Sequence, residues 1–157
     1  MKLTALVLTL PLGIAGAVAL PVLADAKPVT LTTTLNSYGG DGAYLAIYVT
    51  DPQGKIHSTL RVAGKKAKYY KHLSAWSRAT GGRVDGTTGA SVGSGQTLKF
   101  SVEIADALID AGYEIRIDSA VENDRDVPVD VKAPLASSNA GKPIPGKGYV
   151  KSFTFTM

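Results

Sequence analysis

Short runs of alternating apolar and polar residues constrain this chain more than any other feature. In AYLAIYVTD (43–51), Leu45, Ile47 and Val49 fall on one face of an extended strand, with tyrosines and small residues on the other. Comparable runs, bounded by turn residues, occur at 29–35, 43–51, 55–63, 96–104, 112–121, 127–133 and 148–157. Seven such strands predict a mainly β protein, a single antiparallel β-sandwich that is immunoglobulin-like in architecture.

One segment departs from this alternation. Four residues of AKYYKHLSAWSRAT (67–80) are spaced at i, i+4, i+7 and i+11, namely Tyr69, Leu73, Trp76 and Thr80. This spacing predicts one short helix with a single apolar face, ended by the glycines that follow it. The helix lies in an inserted connection from about residue 64 to 95, and connections of that length are usually functional or disordered. Its aromatic residues argue against disorder, so we expect a functional site here.

The chain begins with a segment typical of a secretory signal peptide. Lys2 precedes a long apolar stretch, which ends in small residues at signal-peptidase spacing. We expect residues 1–24 to form the signal peptide, with cleavage after Ala24 or Ala26, and residues 25–157 to form a periplasmic domain. An uncleaved membrane anchor is the alternative, since the apolar run is nearly long enough to span a bilayer.

Composition excludes several classes of site. The chain has no cysteine, so disulfides, thiolate metal sites and iron–sulfur clusters are excluded. A net charge of +4 does not indicate nucleic acid, because anionic small ligands or membrane surfaces explain it equally well. His57 and His72 stand without neighbouring carboxylates in the sequence, which gives no reason to predict a metal site. Acid–base pairs typical of enzymes are also missing, so we predict a protein without catalytic activity.

The segment RVDGTTGAS (83–91) carries the strongest functional signal, because it combines hydroxyl groups with small residues. Gly86 and Gly89 allow the backbone to turn sharply and to approach a large partner closely. Ala90 keeps bulk away from the next side chain, so the Ser91 hydroxyl is expected to point outward with little shielding. The alternative is an ordinary polar loop.

This segment matches the acceptor motif of covalently flavinylated bacterial proteins, approximately Asp-Gly-x-(Ser/Thr)-Gly-Ala-(Thr/Ser). In those proteins an FAD:protein FMN transferase attaches FMN, through its phosphate, to the hydroxyl at the last position. The matching residues here are Asp85, Gly86, Thr88, Gly89, Ala90 and Ser91. Asp85 would accept backbone N–H groups in an Asx-turn or help to hold a divalent ion of the modifying enzyme. The usual acceptor is threonine, and Ser91 offers the same oxygen without the methyl group that restricts χ1.

The wider sequence resembles the domain of unknown function 2271 family of predicted periplasmic proteins. The resemblance covers about residues 29–157, and is strongest from YLAIYVTDPQGKIHSTLRV through KYYKHLSAWSRATG to VDGTTGAS. In that family an aromatic strand pair leads to a Leu-x-x-Trp segment and then to an Asp-Gly-x-Thr-Gly-Ala-Thr loop. The resemblance implies an exported β-sandwich that takes part in extracytoplasmic electron transfer, with a flavin transferase and a membrane flavin-reductase-like protein as partners.

The residues around the motif suit a flavin. A flat flavin ring carried on Ser91 would favour stacking on Trp76, Tyr69 or Tyr70. Six cationic side chains lie within 65–83 and would offset the charge of a phosphodiester or of reduced flavin: Lys65, Lys66, Lys68, Lys71, Arg78 and Arg83. The alternative is that the aromatic residues only pack the helix onto the sandwich. The protein would then be a periplasmic binding or assembly module without a redox role.

Overall fold

The computed structural model describes residues 25–157, and the predicted signal peptide, residues 1–24, lies outside the described residues. The strands are β1 (Ala26–Leu35), β2 (Ala43–Thr50), β3 (Ile56–Ala63), β4 (Thr87–Gly89), β5 (Thr97–Ala105), β6 (Glu114–Val121), β7 (Asp126–Pro134) and β8 (Val150–Thr156). One α-helix, α1, spans Ser74–Thr80, and short 3₁₀ segments span Ala67–His72, Asp106–Leu108 and Ser137–Asn139. All seven predicted strands are present, and β4 is an eighth that the sequence pattern did not predict.

The strands form two sheets, with orders β5-β1-β8 and β4-β3-β2-β6-β7. Every pairing is antiparallel except that of β3 with β4, which is parallel. The prediction of a mainly β sandwich with a short helical insertion is therefore confirmed. The main core lies between the sheets, and the alternation read from the sequence decides which side chains enter it.

Strand β2 shows this alternation most clearly. Leu45, Ile47 and Val49 are fully buried and pack in the main core. Each buried side chain of this size stabilises the fold by about 1.5–3 kcal/mol. The opposite face of β2 is buried as well, because the segment after β3 folds back over it. Ala46 and Tyr48 contact that segment in a second, smaller apolar cluster.

The predicted short helix is present as α1, but it does not extend over the whole of residues 67–80 as the spacing predicted. A 3₁₀ segment ends at His72, Leu73 adopts φ −81° and ψ 71°, and α1 begins at Ser74. The buried residues are Tyr70 in the 3₁₀ segment, Leu73 at the junction and Trp76 in α1. Tyr69 is left partly exposed.

Two buried aspartates fix the loops that border this cluster. Asp118 is fully buried and accepts hydrogen bonds from the Tyr48 hydroxyl (2.9 Å), the backbone N–H of Trp76 (2.7 Å) and the backbone N–H of Val129 (2.8 Å). Asp130 accepts from the Ser119 hydroxyl (2.6 Å) and from three backbone N–H groups between residues 147 and 150. Val129 has φ 48° beside a register shift in the β6–β7 pairing, a strained conformation for a β-branched residue. The hydrogen bond from the Val129 N–H to Asp118 helps to hold this conformation.

Tyr48 gives the fold a measurable pH dependence. Burial, together with the neighbouring Asp118 carboxylate, raises the pKa of Tyr48 above its ordinary value. A raised native pKa means that this stabilisation is complete below the unfolded pKa of about 10 and is lost as the pH rises further. We expect the free energy of unfolding to fall above pH ~10. In Tyr48→Phe the slope of that fall should be smaller by up to ~1.4 kcal/mol per pH unit.

Urea unfolding at several pH values between 9 and 11.5 measures this slope. Tyr113→Phe serves as the control, since Tyr113 lies against His57 (ring centroids 5.5 Å apart) and away from Asp118. Equal slopes in Tyr48→Phe and the unmodified protein would contradict the assignment.

Candidate functional site

The segment from Asp85 to Ser91 is part of the five-stranded sheet rather than a free loop. Its central residues form β4, which lies parallel to β3 with Thr87 opposite Arg61 and Gly89 opposite Ala63. The strand is only three residues long and consists of glycine and threonine, so it lacks the apolar alternation from which a strand is predicted. Pairing with β3 gives the segment a fixed path along the edge of the sheet.

Gly86 allows this close pairing. A Cβ atom on Gly86 would run into the Thr59 carbonyl and come within 2.7 Å of the Leu60 carbonyl, and one on Gly89 would overlap the Arg61 guanidinium. Neither glycine has a positive φ, so the sharp turns expected at these positions are absent. Gly86 serves instead for close approach to the backbone of β3, whereas the contact at Gly89 is with the end of the flexible Arg61 side chain.

Both ends of the segment are anchored. Asp85 does not form the expected Asx-turn, because its Oδ1 accepts the Thr59 N–H across the sheet (2.9 Å). After β4, the Gly89 carbonyl accepts the Gly64 N–H (2.7 Å). The chain then crosses the end of β3, where Val92 exchanges two backbone hydrogen bonds with Ala43 of β2 (2.7 and 2.9 Å). Residues 90 and 91 form the corner between these fixed points.

Ser91 lies exposed at this corner. A Cβ on Gly42 would come within 2.7 Å of the Ser91 Oγ, so the glycine leaves open the space beside the hydroxyl. Ala43 points into the main core, and because side chains alternate along a strand, positions 42 and 44 face the outer side of the sheet. The Ser91 hydroxyl beside Gly42 therefore lies on the same outer face as Tyr44.

A partly exposed aromatic pair lies on that face. The Tyr44 ring covers Gly64, where a Cβ would overlap the ring. It meets Tyr69 edge to face, with ring centroids 5.6 Å apart. The Nζ atoms of Lys68 and Lys66 lie 4.9 and 5.9 Å from the centre of the Tyr69 ring, within the range of cation–π attraction. Ser91 and this aromatic and basic surface therefore lie on the same outer face of the sheet.

The accessible aromatic residues of this surface are Tyr44 and Tyr69, whereas Trp76 and Tyr70 do not contribute to it. Trp76 is fully buried, and its Nε1 donates to the Thr59 hydroxyl (2.8 Å). Tyr70 is 7% exposed, and its hydroxyl donates to the Gly64 carbonyl (2.9 Å). Neither ring presents a free face on which a ligand would stack. Both pack the insertion onto the sheet, and Tyr69 remains as the accessible ring of the three.

A substitution at Gly86 tests the role of this pairing. We expect Gly86→Ala to destabilise the fold by about 1–3 kcal/mol, because the added methyl group pushes β4 away from the carbonyls of β3. Thr88→Ala, an exposed position on the same strand, should change stability by no more than about 0.5 kcal/mol. Denaturant unfolding compares the two. Equal stability would show that β4 does not depend on close contact with β3.

The structure corrects one expectation about the histidines. His72 does have a carboxylate neighbour, since its Nδ1 lies 3.1 Å from both carboxylate oxygens of Asp126. His57 packs instead against the Tyr113 ring. Among residues 25–157, no group of three or more histidine, aspartate or glutamate side chains could hold a metal ion.

Sequence reasoning missed three residues of the site, Gly42, Tyr44 and Gly64. The alternation in β2 places Tyr44 on the face opposite the core, and Gly64 follows directly after the predicted strand β3. Neither signal indicates that these residues share an outer face with Ser91, because that arrangement depends on the chain after β4 crossing the end of β3.

Comparison with known proteins adds a family but no close relative. The family model described as "Predicted periplasmic protein (DUF2271)" matches residues 26–152. No curated protein and no solved structure matches the chain. Within the described residues, no helix has the length and apolar character needed to cross a membrane.

Proposed function

Because this chain belongs to the DUF2271 family of predicted periplasmic proteins, we propose that it is an exported electron carrier with FMN bound covalently to Ser91. It is not an enzyme in this proposal. The observation that supports it most is the placement of Ser91, whose exposed side chain stands beside Gly42 on an anchored corner of the sheet. A hydroxyl in this position is accessible to a modifying enzyme and would hold an attached group at a defined place.

The attachment is a phosphoryl transfer. The Ser91 Oγ attacks the phosphorus of FAD that bears the riboflavin part, and a P–O ester bond forms. The pyrophosphate bond to the AMP half breaks, AMP leaves, and the hydroxyl proton is released. An FAD:protein FMN transferase supplies the FAD-binding site and the metal for this step. The chain's own contribution is an accessible oxygen on a backbone fixed at Asp85 and Val92.

Attached FMN would supply reversible uptake and release of electrons, and the protein would supply its position and electrostatic surroundings. Lys65, Lys66 and Lys68 are exposed close to Gly64, where their charge offsets that of the phosphodiester. Tyr44 and Tyr69 offer the accessible aromatic surface. The electron donor in this proposal is a membrane flavin-reductase-like protein.

The test is to co-express the protein with an FAD:protein FMN transferase in an exporting host. The mature protein should gain the mass of one FMN less one water, turn yellow, and yield a modified peptide containing Ser91. An unmodified protein in the presence of an active transferase would remove the redox role.

A second candidate, a binding or assembly module without a cofactor, is favoured by the free edge of β5. Among the described strands, β5 pairs only with β1, and Leu98, Phe100 and Val102 on its inner face are only partly buried. A free edge strand can add a strand from another protein. In that case a partner would be retained equally by the unmodified protein and by Ser91→Ala.

A further inference from the structure

A cleft opens beside Tyr69 on the outer face of the five-stranded sheet. Its volume is about 230 Å³. We call it the aromatic cleft, and its lining includes Tyr44, Tyr69, His72, Ala120, Glu122 and Asn123. Ala120 of β6 forms the floor, the two tyrosines form a wall, and the turn between β6 and β7 forms the rim. Tyr69 is held to this rim, because its hydroxyl donates to the Glu122 carboxylate (2.6 Å).

The aromatic cleft lies within reach of Ser91. Ala43 pairs with Val92 on one side and with Val121 of β6 on the other. Neighbouring strands are about 4.8 Å apart, so about 10 Å across the sheet separates the Ser91 corner from the cleft floor. Both face outward, with Tyr44 between them. The phosphate and five-carbon ribityl chain of FMN span a comparable distance.

Building on the proposed function, we infer that the aromatic cleft receives the isoalloxazine ring of the FMN carried on Ser91, with Tyr69 as its aromatic contact. A flat, amphipathic ring suits a cleft with an aromatic wall and a polar rim. The cleft is smaller than the roughly 300–1,000 Å³ of pockets that enclose whole ligands. It therefore takes one edge of the ring and leaves the other edge in solvent, where a redox partner can approach.

The polar rim determines which edge enters. The pyrimidine edge of the ring carries an N–H group and carbonyl oxygens, whereas the dimethylbenzene edge is apolar. Glu122 offers acceptor oxygens and Asn123 offers both a donor and an acceptor. His72 is held in place by Asp126. The pyrimidine edge accordingly faces the rim, and the dimethylbenzene edge faces outward.

Flavin fluorescence in Tyr69→Leu tests this placement, because a tyrosine in contact with the ring quenches its emission. The flavinylated protein should be dim, and Tyr69→Leu should be several-fold brighter with the same FMN mass. Tyr113→Leu, at the opposite end of the sandwich, should stay dim. Thermal unfolding of each variant checks that the fold is retained.

A second variant removes charge without removing an aromatic ring. Glu122→Gln keeps an acceptor for the Tyr69 hydroxyl but removes a negative charge from the rim. Since reduced flavin is more negative than oxidised flavin, we expect the reduction potential of Glu122→Gln to be more positive. Glu103→Gln, at an exposed carboxylate on β5 of the other sheet, should leave it unchanged.

These readouts separate the two proposals. Normal FMN mass, with fluorescence and potential unchanged in Tyr69→Leu and Glu122→Gln, would overturn the cleft and leave the covalent carrier intact. Absence of FMN from the unmodified protein would overturn both.

Discussion

Ser91→Ala is expected to abolish covalent FMN incorporation completely while leaving the fold intact. The substitution removes the only oxygen through which the phosphodiester forms in this proposal. Ser91 is exposed, and exposed substitutions usually change stability by no more than about 0.5 kcal/mol. The measurement is intact mass after co-expression with the transferase, together with absorbance of blue light.

Two further variants test whether Ser91 is the specific acceptor. Ser94→Ala should keep FMN, although it removes a nearby hydroxyl, the one that accepts the Gly39 N–H (2.9 Å). Gly42→Ala keeps the acceptor, but its methyl group would come within 2.7 Å of the Ser91 Oγ, so incorporation should slow. FMN found on Ser91→Ala, for instance at Thr87 or Thr88, would show that the acceptor has been misidentified.

Asp118→Ala is expected to lower the free energy of unfolding by about 3–5 kcal/mol. The fully buried Asp118 carboxylate accepts hydrogen bonds from the Tyr48 hydroxyl and from the backbone N–H groups of Trp76 and Val129. The substitution would leave all three donors without their acceptor. Each buried donor that loses its acceptor costs about 1–3 kcal/mol, and a cavity adds to this. The three losses share one site, so they will not add in full.

Asp118→Asn distinguishes lost hydrogen bonds from lost volume. Asp118 Oδ1 accepts from Tyr48 and Val129, and Oδ2 accepts from the Trp76 N–H. An amide group can keep one oxygen with two donors, but it then sets its NH₂ against the Trp76 N–H. We expect a cost of about 1–3 kcal/mol, less than that of alanine.

Unfolding in urea, followed by tryptophan fluorescence, measures both variants. Trp76 is the only tryptophan, so the signal comes from the residue that Asp118 holds. Asp41→Asn, at an exposed carboxylate, is the control and should change stability by no more than about 0.5 kcal/mol. If Asp118→Ala is as stable as this control, the carboxylate does not anchor α1.

Asp118 also matters for the proposed site. It holds the start of α1 against β6 through Trp76, and the 3₁₀ segment bearing Tyr69 directly precedes this helix. Loosening α1 would therefore disturb the wall of the aromatic cleft. We expect Asp118→Asn to keep covalent FMN, because Ser91 is anchored separately through Val92 and Ala43.

The strands could be predicted because each is a local property of the chain. Period-two alternation placed Leu45, Ile47 and Val49 in the core, and the structure buries all three. The predicted helix was partly wrong because a four-residue spacing selected Tyr69, whereas the 3₁₀ turn buries Tyr70. Sequence periodicity thus predicted the apolar face but assigned Tyr69 to it in place of Tyr70.

The candidate site likewise has features that the sequence predicted and features that it could not predict. The sequence by itself determined that Ser91 follows a run of small residues and that aromatic and basic residues precede it. Only the tertiary structure decided that Trp76 is buried, that Tyr69 is accessible, and that the chain after β4 brings Ser91 past the end of β3 to Gly42. The physical reason is that alternation sets the face on which a side chain lies, whereas contacts between distant residues depend on strand order and register. A strand as short as β4 has too few side chains to specify either, so its place is decided by the backbone of β3 and by Gly86, which is small enough to lie against it.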